Sequence, residues 1–80
     1  MPRRSTSASK RRRTAAEIFG GNLKAARLDA GLTQVQLSEL TGIPQSRISA
    51  IEVGRRDIML STIIKLSEAI GCSLADLFRE

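Results

Sequence analysis

The sequence has no histidine, tryptophan or tyrosine, a single cysteine and only two prolines in eighty residues. Without histidine there is no imidazole base, and one thiol cannot assemble a zinc set from the usual nitrogen and sulfur donors. No metal, cofactor or small-molecule ligand is expected. The lone Cys72 cannot close an internal disulfide; it falls in an apolar slot and reads as a core thiol. No run of eighteen apolar residues occurs, and the basic start is not followed by the apolar stretch of a secretory signal, so no membrane association is expected. No acidic pair is spaced as a catalytic cleft requires, and an enzyme is not expected. There is no internal repeat and no strand pattern.

The charge is unevenly placed. The net value is +5, yet residues 1–13 carry six basic side chains (Arg3, Arg4, Lys10, Arg11, Arg12, Arg13) and no acid, while residues 14–80 carry seven basic and eight acidic groups. All the positive excess therefore lies in a basic, flexible arm over 1–13. The remaining 14–80 form one small domain, whose affinity for phosphate has to come from local placement of charge. A core of this size is modest, which favours pairing with a second copy.

Helical patterning begins near Thr14 or Ala15. Phe19, Leu23 and Ala26 recur at spacings of four and three, and Gly31 supplies the stop. Gly20 and Gly21 each cost about 1 kcal/mol in such a helix, so it depends on packing. Thr33 followed by Gln36 is a capping box that opens helix two, 33–41, with Leu37 and Leu40 expected in the core. Gly42 suits a tight turn, and Pro44 opens helix three, 44–53, which Gly54 ends. Leu60 to Ile70 reads as helix four, with Ile63, Ile64, Leu66 and Ile70 as its apolar positions. Ser73 and Asp76 cap a short fifth helix that carries Leu74, Leu77 and Phe78. The expected fold is all-α.

A helix, a glycine turn and a second short helix are how a chain offers a helix to the major groove of DNA. At 100° per residue, Gln45, Ser46, Ser49 and Ala50 fall on one side of helix three, while Ile48 and Ile51 point inward. That outward side is short and polar, as a helix between two phosphate ridges requires. Glutamine suits adenine N6 and N7, serine donates or accepts, and an alanine methyl fits a thymine methyl. Arg47 lies off this side and, with Arg55 and Arg56, is placed to clamp phosphates. Gln34, at the positive start of helix two, is placed for a similar contact.

On Leu23 with Arg27, Gly31-Leu32-Thr33-Gln34, Leu37, Gly42, Ile48, Ile51-Glu52 with Gly54, and the stretch from Leu66 to Phe78, residues 19–78 resemble the helix-turn-helix domain of the phage repressor and Cro family. The resemblance implies a five-helix lambda-repressor-like DNA-binding domain. It also implies that Gln34 meets a phosphate, that Gln45, Ser46, Ser49 and Ala50 face bases, and that Arg55 and Arg56 grip the backbone. A buried ion pair between Arg27 and Glu52 is implied as well, consistent with the inward position of Glu52 on the helical wheel. Two positions depart from the family: Val53 replaces a common asparagine, and Thr41 a larger apolar residue. The run Arg56-Asp57-Ile58-Met59-Leu60 looks like that of restriction-modification controller proteins.

The expected activity is sequence-specific DNA binding in transcription regulation, by a homodimer on an operator of two half-sites about 34 Å apart. Leu74, Leu77 and Phe78 are the expected dimer surface. The expected partner is double-stranded DNA and the expected location the cytoplasm, at the nucleoid. With no room for a sensor domain, control is expected from concentration or operator arrangement. The arm has two readings, a solvated tail or a segment along phosphates or in a minor groove. A phage or plasmid repressor, a restriction-modification controller and an antitoxin all remain open, as does a coactivator that binds protein instead of DNA.

Overall fold

The computed structural model describes residues 13–55 and 57–80 and contains five helices among them: α1 Ala15–Asp29, α2 Gln34–Thr41, α3 Gln45–Glu52, α4 Leu60–Ile70 and α5 Leu74–Leu77. The basic side chains Arg3, Arg4, Lys10, Arg11 and Arg12 of the arm, and Arg56, lie outside the described residues.

Local chemistry explains where the helices begin. Thr14 and Glu17 form a reciprocal capping box: the Glu17 N–H donates to Thr14 Oγ1 at 3.1 Å, and the Thr14 N–H donates to Glu17 Oε1 at 2.8 Å. This box went unnoticed in the sequence, although its spacing matches that of Thr33 and Gln36, whose two bonds measure 3.0 and 2.8 Å. Each box satisfies N–H groups that a helix start otherwise leaves without a partner. Pro44 precedes α3 as its cap without a side-chain bond, and its carbonyl accepts from the Arg47 and Ile48 N–H groups. Ser73 caps α5 by accepting from the Asp76 N–H.

The core joins all five helices through Phe19, Leu23, Leu37, Ile48, Ile51, Leu66 and Leu77, with Ile43 from the turn between α2 and α3. Cys72 packs half-buried against it. Gly20 is where α1 meets the end of α3: a Cβ there would run into the backbone carbonyl of Ile51. The helical cost of this glycine is thus the condition for two helices to touch, while Gly21 faces open space with only an Arg13 nitrogen 3.7 Å away.

Three expectations about burial are corrected. Leu40 is 61% exposed, and Thr41 takes a buried place on α2. At 100° per residue the buried arc of α2 runs from Leu37 through Thr41 and Gln34 to Ser38, and Leu40 falls about 60° outside it. Ile64 on α4 is exposed, since Leu66 and Ser67 carry the inward side. Leu77, expected on a dimer surface, is fully buried in the monomer's own core, while Leu74 and Phe78 on either side of it keep exposed faces.

Candidate nucleic-acid interface

The flank of α3 follows its wheel. Gln45, Ser46, Arg47 and Ser49 are exposed and Ala50 is half-buried, whereas Ile48, Ile51 and Glu52 are buried. Beside this flank lies a hollow of about 470 Å³ lined by Pro44, Ser46, Arg47, Ala50 and Arg55. Arg47 and Arg55 thus stand at the hollow with exposed side chains, and among the described residues neither is in an ion pair. Val53, at the end of α3, is exposed and offers no side-chain donor.

Behind the flank, Arg27 of α1 grips Glu52. Its Nε donates to Oε2 at 2.6 Å and its Nη2 to Oε1 at 3.0 Å, while Nη1 donates to the Leu32 carbonyl at 2.8 Å. The two side chains are 8% and 3% exposed, so the pair is a paired and hydrogen-bonded buried charge. The bond to Glu52 holds the Arg27 guanidinium above its usual pKa, against the opposing effect of burial. A cation with a raised folded-state pKa contributes stability that is complete below its unfolded value, so this contribution fades only in strong alkali.

Gln34 makes side-chain contacts that the sequence did not announce. Its Nε2 donates to Glu52 Oε1 at 3.0 Å, and its Oε1 accepts from Gln45 Nε2 over a long 3.4 Å. The second hydrogen on Gln34 Nε2 makes no bond among the described residues. A chain of polar contacts therefore runs from α1 through the end of α3 and the start of α2 to the first residue of α3. Glu52 as a carboxylate accepts only, which obliges Gln34 to turn its amide nitrogen inward and its oxygen toward Gln45.

No sequence signal marked this contact, because Gln34 and Glu52 are eighteen positions apart. The same holds for Asn22, whose Nδ2 donates to the carbonyls of Leu77 at 2.9 Å and Arg79 at 2.8 Å, latching the end of the chain onto α1. Phe19 and Phe78 reinforce that seam, with ring centroids 5.2 Å apart.

A sequence profile described as helix-turn-helix matches residues 23–77. The chain is 33% identical over 61 residues to the uncharacterized HTH-type transcriptional regulator y4dJ of Sinorhizobium fredii, covering 76% of this chain and 79% of that protein. It is 34% identical over 61 residues to the control protein C.SmaI of Serratia marcescens, covering 76% and 73%. Among solved structures, the restriction-modification controller protein C.AhdI of Aeromonas hydrophila superposes with a TM-score of 0.74 at 33% identity, covering 79% of this chain and 96% of that one.

Proposed function

The chain belongs to the helix-turn-helix family of DNA-binding transcriptional regulators, and from that premise we propose that it binds a specific operator of two related half-sites as a homodimer. The observation that carries this reading is the exposed, short and polar flank of α3, bordered by the exposed cations Arg47 and Arg55, which form no ion pair among the described residues. Gln45, Ser46, Ser49 and Ala50 read base edges, and Arg47, Arg55, Arg56 and the second Gln34 hydrogen hold phosphates. The arm residues Arg3, Arg4, Lys10, Arg11, Arg12 and Arg13 add affinity without sequence preference. Helix N-terminal N–H groups and side-chain donors fix register, and only the α3 flank distinguishes one sequence from another.

Dimerisation is supported by two exposed apolar pairs at a spacing of four, Leu60 with Ile64 on α4 and Leu74 with Phe78 around α5. The likeness to C.SmaI and C.AhdI supports a controller role within a restriction-modification system; methyltransferase and endonuclease genes beside this one are the check.

Selection of bound duplexes from a random pool tests the reading. Enrichment of two related half-sites, bound by a species that sediments at twice the chain mass, is the expected result. An unenriched pool, with capture of a general transcription factor instead, favours the protein-binding coactivator. A bound species of one chain mass removes the homodimer.

A further inference from the structure

Four glycines with positive φ end helical segments in this chain, and at three of those ends the residue after the glycine bonds back in the same way. After Gly31, Gly54 and Gly71, the following residue returns its N–H to the carbonyl five positions back: Leu32 to Arg27 at 3.0 Å, Arg55 to Ala50 at 3.1 Å and Cys72 to Ser67 at 3.0 Å. This 6→1 bond is a common backbone finish to a helix that ends on a left-handed glycine.

The fourth end, Gly42 between α2 and α3, is different. The Gly42 N–H reaches the Ser38 carbonyl at 2.8 Å, but the Ile43 N–H donates to Thr41 Oγ1 at 3.2 Å. The Thr41 hydroxyl in turn donates to the Leu37 carbonyl at 2.8 Å. Thr41 and Ile43 are 8% and 6% exposed, so no bulk water replaces either bond. In the turn that aims α3, the N–H after the glycine is thus taken by a side-chain oxygen, where at the other three ends it is taken by a backbone carbonyl.

We infer that Thr41 is a positioning residue for DNA recognition: its hydroxyl holds the Ile43 N–H away from the Ser38 carbonyl and so selects the open turn that points α3 outward. The competing turn is available to this molecule. At Gly71 a single carbonyl, that of Ser67, accepts both the Gly71 N–H at 2.8 Å and the Cys72 N–H at 3.0 Å. Without the hydroxyl, the Ile43 N–H either stays buried and unpaired or moves to Ser38 in that manner. The second outcome redirects Ile43 and Pro44, the two residues that lead into Gln45, and shifts Gln45 from its 3.4 Å contact with Gln34. A small rotation at this point displaces every base contact on α3 and leaves the phosphate contacts of the arm untouched.

The inference rests on the operator-binding reading. Its test compares Thr41→Val, which keeps the shape and removes the hydroxyl, with Thr41→Ser, which keeps the hydroxyl. Three quantities are read at a temperature where all forms are folded: exchange of the Ile43 amide, affinity for the selected operator, and affinity for a random duplex. Thr41→Val is expected to speed Ile43 exchange and lower the operator-to-random ratio about tenfold, with Thr41→Ser within about threefold of the parent. An unchanged ratio in Thr41→Val, or equal losses on both duplexes, overturns the positioning role. So does unchanged Ile43 exchange, whatever the DNA result. A parent chain without any preferred sequence overturns the operator reading itself, and the positioning role with it.

Discussion

Gln34 and Glu52 meet through an amide N–H and a carboxylate oxygen at 3.0 Å, joining the first residue of α2 to the last of α3. The carboxylate is already held by Arg27, so it serves as a fixed acceptor and gives Gln34 one orientation. Through Gln34 that orientation reaches Gln45, leaving Gln45 with its oxygen and one amide hydrogen to offer a base. This is the donor and acceptor pair that adenine N7 and N6 require.

Gln34→Met keeps the length of the side chain and removes the amide. Adenine over guanine preference at the operator position proposed for Gln45 is expected to fall about three- to tenfold, because Gln45 is then free to flip. Gel shifts on the operator and its single-base variants check this. A uniform loss across all duplexes would mean that Gln34 serves only as a phosphate contact.

Gln45→Ala is expected to lose about 1 to 3 kcal/mol on the preferred operator and less on random DNA. Titrations of both duplexes at one salt concentration give the difference. Equal losses contradict base reading by this residue.

Arg27→Met leaves the Glu52 carboxylate buried without its cation, at an expected cost of about 3 to 5 kcal/mol in urea unfolding. Adding Glu52→Leu is expected to restore much of that stability, since the unpaired charge is removed along with its partner. A double variant no more stable than Arg27→Met refutes this account of the cost.

The two adjacent glycines of α1 are expected to respond in opposite directions. Gly20→Ala forces a methyl against the Ile51 carbonyl and should cost about 1 to 3 kcal/mol, more than the helical gain. Gly21→Ala meets only ordinary contact and should stabilise by up to about 1 kcal/mol. Thermal melts of the two variants decide, and matching shifts would contradict the packing difference.

Deleting residues 1–13 removes six cations. Affinity is expected to fall on every sequence, with the slope of log affinity against log salt flattening by as much as about 5 units if each cation neutralises one phosphate. A slope that does not change makes the arm a bystander.

Within the sequence, most features that depend on neighbours a few positions apart were legible, although the equally local box of Thr14 and Glu17 and the bonds of the Thr41 hydroxyl were not read. The helix starts at Thr33 and Ser73, the glycine stops, and the short polar flank of α3 follow from caps and from a period of 3.6, which act over one or two turns. Tertiary structure alone decided which side of α2 is inward, so that Thr41 displaced Leu40, and placed Leu77 in the core. It also gave Gln34 to Glu52 and made Gly20 the contact between α1 and α3. Each of these depends on a partner far along the chain, and a helical wheel specifies which residues share a face without specifying what that face will meet.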